Sequence, residues 1–160
     1  MKKNARLISA PLLALLLAAG CATAPAPKTI AATAAATPQL STLTKLIQDA
    51  GLTETLQGPG PFTVFAPTDD AFKAIPAAAL QALAQDKVRL KAVLTYHVVP
   101  GAMMSAEVKS GPVKSVQGAN LALSRAGTFV TVEDGVVTTA DIQASNGVVH
   151  LVDKVLMPPK

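Results

Sequence analysis

The chain has 160 residues, half of them hydrophobic, with 14 Lys and Arg against 10 Asp and Glu. Three of the basic residues lie among the first six positions, which leaves 11 basic against 10 acidic residues in the rest of the chain. The net charge therefore gives no reason to expect nucleic-acid binding. Four Phe, one Tyr and no Trp also provide no set of aromatic rings on which bases could stack.

The first 20 residues have the pattern of a leader for export. A basic start is followed by an apolar stretch from Leu12 to Ala19, and then by Gly20 and Cys21. This order is typical of a secretory signal peptide, and the apolar stretch is far shorter than the ~20 residues of a membrane-spanning helix. Cys21 is the only cysteine and resembles the acylated cysteine of a bacterial lipobox, although an ordinary signal peptide with a chance cysteine is the alternative. We therefore expect a lipoprotein signal peptide at 1–20 and lipid attachment at Cys21.

Residues 21–38 are predicted to form a tether. The segment is almost wholly Ala, Thr and Pro, its prolines interrupt any helix, and the Ala-rich piece from Thr29 to Thr37 is too short to be a stable helix alone. The seventeen residues from Ala22 to Pro38 would reach roughly 50 Å if extended at ~3.1 Å each. Because Ala22, not Asp, follows Cys21, the pattern is that of lipoproteins sorted to the outer membrane if the source is Gram-negative.

Residues 39–160 are predicted to form one domain, in which helices precede strands. Apolar residues recur at helical spacing from Leu43 to Ala50, and further helices are expected over 52–56, 69–72, 77–84 and 87–95. Strands are expected over 62–66, 96–99, 113–116, 121–124, 128–132, 136–139 and 148–156, separated by turns that contain Gly or Pro. Helices first and closely spaced strands after them indicate an α+β fold.

Three collinear segments carry a family resemblance: TVFAPTDDAF at 63–72, YHVVPG at 96–101 and NGVVHLVDKVLMPP at 146–159. Together they resemble the fasciclin domain, over roughly Leu40 to Pro159. The resemblance implies a compact β-sandwich wedge with a helical layer, with its helices mainly in the N-terminal half. It also implies a binding module and not an enzyme.

The first of these segments is interpreted as structural. Thr68 or Asp69 can cap a helix, and the carboxylates of its first turn complement the helix dipole. A metal site is the alternative, but no calcium-loop pattern surrounds the paired carboxylates. The resemblance implies that Phe65 and Phe72 lie in the core of the domain. We expect no metal and no cofactor.

Tyr96 and His97 are predicted to begin a strand. For His97, proton transfer and metal ligation are the functional alternatives, and a histidine whose ring binds the backbone is the structural one. The resemblance adds a third interpretation, because the Tyr-His segment of animal fasciclin domains is associated with integrin recognition. The predicted contact surface comprises Tyr96, His97, Pro100, Met103 and Met104.

The last segment is also interpreted as structural. Asn146-Gly147 is a turn dipeptide, and His150 and Asp153 are expected on opposite faces of one strand, where they cannot pair. No nucleophile elbow accompanies them. We therefore expect no catalytic residues.

These observations predict an exported, lipid-anchored adhesion or interaction module, monomeric, that binds a protein or polysaccharide at the cell surface and no nucleic acid. The alternative is an envelope carrier of a hydrophobic small molecule such as a carotenoid. An enclosed apolar cavity lined by residues such as Met103 would favour the carrier, whereas a filled core would favour adhesion.

Overall fold

The computed structural model describes residues 28–159, in which six helices and seven strands form one domain. The helices α1 to α6 cover Ile30–Ala36, Ser41–Asp49, Thr53–Gln57, Asp69–Lys73, Ala77–Gln85 and Lys87–Tyr96, with a 3-10 turn at Pro38–Leu40. The strands β1 to β7 cover Phe62–Pro67, Val98–Pro100, Gly111–Lys114, Asn120–Ala126, Phe129–Val132, Gly135–Ala144 and Gly147–Val152. The predicted α+β class, with most helices in the first half, is confirmed.

The helix α1 lies inside the segment predicted to be a tether. Thr29 caps it, and Ile30, Ala31 and Ala34 are buried in the same cluster as the helical core. The extended interpretation is therefore wrong for 30–36, because packing against the domain supplies the stability that a seven-residue helix lacks alone. The signal peptide at 1–20, Cys21 and the remainder of the tether before Lys28 lie outside the described residues.

The seven strands form one sheet in the order β2-β1-β7-β6-β5-β4-β3. The β1 strand pairs antiparallel with β2 and parallel with β7, and the remaining neighbours are antiparallel. Val116, just beyond β3, donates its N–H to the carbonyl of Val98 in β2 over 2.7 Å. The first and last strands of the sheet thus approach each other, which makes the sheet nearly barrel-like.

Alternate residues of the neighbouring strands β1 and β7 belong to two different apolar clusters. Val64 and Leu151 belong to the cluster covered by the helices, whereas Phe65 and Val152 belong to the cluster enclosed by the curved sheet. This division follows from the period of two along a strand. Both strands are buried on both faces, and their side chains fix how the helical layer sits on the sheet.

The segment Tyr96–Val99 was predicted to be a strand, and the prediction is wrong for its first half. Tyr96 is the last residue of α6, and His97 is the helix C-cap with φ −73° and ψ −7°. The β2 strand begins only at Val98. Among residues 28–159, no helix is long and apolar enough to cross a bilayer.

Candidate interaction surface

The segment that follows β2 is held to the sheet by Thr63, a buried residue of β1. The Thr63 Oγ1 donates to the carbonyl of Gly101 over 2.6 Å and accepts the N–H of Met103 over 2.9 Å. Gly101 has φ +101°, a conformation that glycine adopts without strain. One threonine thus fixes both sides of the turn that begins the predicted contact surface.

His150 in β7 holds the carbonyl of Met103, the residue whose N–H Thr63 binds. Its Nδ1 accepts the backbone N–H of Asp141 over 3.1 Å, so its Nε2 carries the proton and donates to the Met103 carbonyl over 2.8 Å. The ring is 1% exposed and stacks on Phe65 with centroids 5.5 Å apart. Burial lowers the pKa of His150, which keeps the ring in the neutral form that this pair of bonds requires.

Asp141 holds Ser105 with two hydrogen bonds. The Ser105 N–H donates to Oδ1 over 2.6 Å, and the Ser105 hydroxyl donates to Oδ2 over 2.5 Å. These bonds lower the pKa of the Asp141 carboxyl. Asp141 lies in an irregular part of β6 with φ +61°, a conformation that Asp tolerates better than most residues. The bulge there turns the carboxylate toward the segment after β2.

Ser105, Asp141 and His150 are close together, but their hydrogen bonds do not form a catalytic triad. A triad needs a histidine ring that accepts from the serine hydroxyl and donates to the carboxylate. Here the hydroxyl donates directly to the carboxylate, and both ring nitrogens bind backbone groups. No group of three or more His, Cys, Asp or Glu that could hold a metal occurs among residues 28–159.

Tyr96, a predicted contact residue, points into the sheet-enclosed core and is 2% exposed. Its hydroxyl lies 3.0 Å from both the Asn120 carbonyl and Glu133 Oε1, and Glu133 also accepts the N–H of Ala122. Burial, reinforced by the Glu133 carboxylate, raises the pKa of Tyr96 to about 12. The side chain joins α6 to β4 and to the β5–β6 turn, and it is not available to a partner.

His97 is buried as well, at 2% exposure, and its ring links α6 to the C-terminal segment. Its Nδ1 donates to the Val93 carbonyl over 2.7 Å, and its Nε2 accepts the N–H of Leu156 over 2.9 Å. Burial lowers the pKa of His97 to about 4, so the ring is neutral at pH 7. This arrangement is the backbone-binding histidine considered from the sequence, and it leaves no ring nitrogen free.

The other predicted contact residues lie at or near the surface. Pro100 is exposed, whereas Met103 and Met104 are half-buried. Between and after them, Ala102 and Ala106 are exposed, and the Ala106 carbonyl accepts from the Arg125 guanidinium. The structure thus brings Pro100–Ala106 together as one fixed surface, and places Tyr96 and His97 beneath the domain surface.

Asn146 connects three segments at one end of the sheet, a role its place in a turn dipeptide did not predict. Its Oδ1 accepts the N–H of Ile30 over 2.8 Å, and its Nδ2 donates to the carbonyls of Leu56 and Gly58 over 2.8 and 3.0 Å. The adjacent Gly147 has φ +155°, and a Cβ there would overlap the Phe62 carbonyl. The pair therefore serves close packing as well as the turn.

The remaining predicted structural residues lie at the opposite end of the sheet or in the core. The side chain of Thr68 caps α4, and Asp69 accepts from the Ser41 hydroxyl over 2.7 Å and from the Thr42 N–H over 2.8 Å. Phe65 and Phe72 are 0% and 4% exposed. Asp153 lies just after β7, where its Oδ1 accepts the N–H of Val136 over 2.7 Å.

An apolar cavity lies under the helices, but it is small. Its volume is about 30 Å³, and it is lined by apolar side chains of α2, α3, α6 and β1 and by His97. Pockets for small-molecule ligands measure roughly 300–1,000 Å³. Met103 does not line this cavity, which therefore is not the enclosed apolar site expected of a carrier.

The helical layer and nearly closed sheet define the class of the protein as a small α+β module with two apolar clusters. The chain belongs to the fasciclin domain family, whose sequence model matches residues 38–158. A FAS1 domain pair from the insect cell adhesion molecule Fasciclin I has the same fold, with a TM-score of 0.62 at 20% identity over 76% of this chain and 46% of that one.

Several relatives are similar in sequence. The chain is 45% identical to Protein sll1483 of Synechocystis over 133 residues. The aligned region covers 82% of this chain and 74% of that protein. It is 43% identical to transforming growth factor-beta-induced protein ig-h3 of Sus scrofa, over 76% of this chain and 18% of that one. It is 38% identical to the cell surface glycolipoprotein MPB83 of Mycobacterium bovis, over 81% of this chain and 60% of that protein.

Proposed function

We propose that this protein is a lipid-anchored interaction module that binds another macromolecule through the exposed side of Pro100–Ala106. The observation that carries the proposal is how firmly this segment is held. Thr63, His150, Asp141 and Arg125 bind its backbone or side chains from four different parts of the chain. A surface that is already ordered loses little conformational freedom on binding, which favours affinity.

The relatives support the same class of function. One is named as a cell surface glycolipoprotein, and the fold match comes from a cell adhesion molecule. We propose that this chain also acts at a cell surface, in adhesion or in matrix or biofilm contact.

The proposed anchor is a lipid on Cys21 after removal of residues 1–20, placed in the outer membrane if the source is Gram-negative. Two acyl chains hold a protein on a bilayer far better than one, because each buried methylene contributes ~0.8 kcal/mol. Cys21→Ser should release the protein from the membrane fraction or leave it unprocessed. Unchanged maturation and partitioning in that variant would show that the anchor is wrong.

The contact surface can be tested with folded variants in an adhesion assay. Ala106→Asp places a carboxylate on the exposed side of the segment and should weaken adhesion. Gln117→Asp, beside the Gly118 turn, and Asp134→Ala, beside Gly135, are controls that should matter less. Equal losses in Ala106→Asp and in the controls, or no loss in Ala106→Asp, would show that the contact surface lies elsewhere.

A further inference from the structure

The chain enters the domain at one identifiable end, here called the proximal end. Lys28 accepts the Ser145 N–H through its carbonyl over 2.9 Å, and Ile30 is held by Asn146. In the sheet, Phe62 pairs with both Pro100 and Gly147 at this end. The opposite, distal end is where Pro67 pairs with Val152 and where β6 begins.

The position of α1 shortens the link between the proposed lipid and the domain. The fold begins by Lys28 and not near residue 39, so seven peptide units separate Cys21 from the first described residue. Seven residues span at most about 25 Å when fully extended. A domain of this length is roughly 35 Å across. If the distal end faced the bilayer, Lys28 would lie further from the membrane than the link can reach.

The two ends also differ in charge. Five carboxylates lie at the distal end against three lysines, Lys73, Lys114 and Lys154; the carboxylates belong to Asp69, Asp70, Glu133, Asp134 and Asp153. The proximal end carries an open groove of about 530 Å³ whose lining includes Pro59–Pro61, Ala102, Met104 and 143–148, none of them ionisable. Beside the groove, Lys28 and Glu54 are exposed, and Glu107 accepts the Met104 N–H.

We propose that the proximal surface, made of Lys28 and the groove residues Pro59–Pro61, Ala102, Met104 and 143–148, docks on the phospholipid headgroups of the bilayer that holds the lipid anchor. The proposal rests on the proposed anchor at Cys21. It assigns a partner to the proximal part of the contact segment and leaves Ser105, held by Asp141, and Ala106, held by Arg125, open to a macromolecule. An anionic headgroup layer repels carboxylates and attracts lysines, so charge favours the same orientation as the short link.

The test uses the full mature lipoprotein in vesicles of mixed phosphatidylglycerol and phosphatidylcholine. Because Cys21 is the only native cysteine and carries the lipid, Ala102→Cys and Asp134→Cys each give one site for a fluorescent label. A quencher on the lipid headgroups should quench the label at 102 more than the label at 134. The Asp134→Cys substitution removes a carboxylate and so makes contact between the distal end and the anionic headgroups more favourable. This control is therefore biased against the expected result.

A longer link separates docking from tethering. We would insert about twenty Gly and Ser residues between Pro27 and Lys28, which lets the domain turn freely. If the proximal surface docks, the label at 102 should still be quenched more strongly than the label at 134 in these vesicles. Within the long-link chain, Lys28→Gln should lower the ratio of docked to free domain by about fivefold, whereas the matched Lys154→Gln should leave it unchanged.

The outcomes distinguish the anchor from the surface. If the protein does not float with the vesicles, the anchor is wrong and the docking proposal falls with it. If the protein floats but the two labels are quenched equally in the long-link chain, the anchor stands and the proximal surface is wrong. Loss of the preference for position 102 through Lys154→Gln, and not through Lys28→Gln, would likewise overturn the proposal. The adhesion assay with Ala106→Asp is independent of all three results.

Discussion

The proximal and distal ends of the domain are stabilised in different ways. At the proximal end, the partly buried Asn146 side chain reaches backbone groups 88 to 116 residues away in sequence, and Gly147 packs against the Phe62 backbone. At the distal end, the carboxylates of Asp69 and Asp153 accept backbone N–H groups at or near the surface. Water can replace a surface bond but not a buried one. We therefore expect substitutions at the proximal end to cost more stability.

The largest difference should come from the glycines. Gly147→Ala places a Cβ against the Phe62 carbonyl at φ +155° and should lower the free energy of unfolding by more than about 4 kcal/mol. Gly127→Ala is the matched control, since Gly127 also has positive φ, +63°, but has open space around it; it should cost about 1 kcal/mol. Urea unfolding of both variants measures the difference, and similar losses would show that backbone conformation alone decides both.

Asn146 and Asp153 allow the same comparison with polar side chains. Asn146→Ala removes three hydrogen bonds and leaves the Ile30 N–H and two carbonyls without their partner, so we expect a loss of about 3 kcal/mol. Asp153→Ala removes one exposed bond, to Val136, and should cost about 1 kcal/mol. Denaturant midpoints at constant m-value would check both. Equal losses would contradict the proposed contrast between the ends.

His97 tests whether a buried ring stabilises the domain without any ligand. His97→Ala should cost ~1–3 kcal/mol, because the Val93 carbonyl and the Leu156 N–H lose their partner. The folded pKa of about 4 lies below the unfolded value of 6.5, so the native state binds fewer protons. The contribution of His97 to stability should therefore be complete above pH 6.5, be lost as the pH drops toward 4, and change no further below it.

Two controls test whether the titration of His97 causes this pH dependence and whether the ring binds a metal. In His97→Ala, the decline between pH 6.5 and 4 should become shallower, with a residual slope from His150, whose pKa burial also lowers. Adding a chelator to the wild type should leave the melting temperature unchanged. A melting temperature that falls with chelator would instead restore the metal-binding interpretation of His97.

Local signals in the sequence were sufficient for many elements. Of the two caps considered for α4, Thr68 and Asp69, the structure uses Thr68. Gly51, expected to stop the preceding helix, has φ +67° just after α2. Capping and turn chemistry depend on a few neighbouring residues, which is why they can be read from a sequence. The fasciclin family resemblance carried the rest of the fold class, and it is confirmed.

Contacts between distant residues were not predicted. The α1 helix depends on Ile30 entering the core and on Asn146, 116 residues further along. The bonds that join Asp141 to Ser105 and His150 to Met103 span 36 and 47 residues. Nothing in the local pattern around Ser105 or Asp141 indicates such a pairing. The assignment of Tyr96 and His97 to a strand failed because α6 continues through apolar residues that suit either structure.

The smallest expected effect belongs to Asp69 at the distal end. Desolvation raises the pKa of its carboxyl, but the hydrogen bonds from Ser41 and Thr42 outweigh it and lower the pKa below 3.8. The stability it contributes is therefore present above pH 3.8 and lost as the pH falls below that value. Asp69→Asn keeps the shape but weakens both bonds, and it should cost about 0.5 kcal/mol at pH 7. Thermal unfolding of this variant beside Asp70→Asn, whose carboxylate binds the exposed Lys73, would show whether capping of α2 matters; equal melting temperatures would mean that it does not.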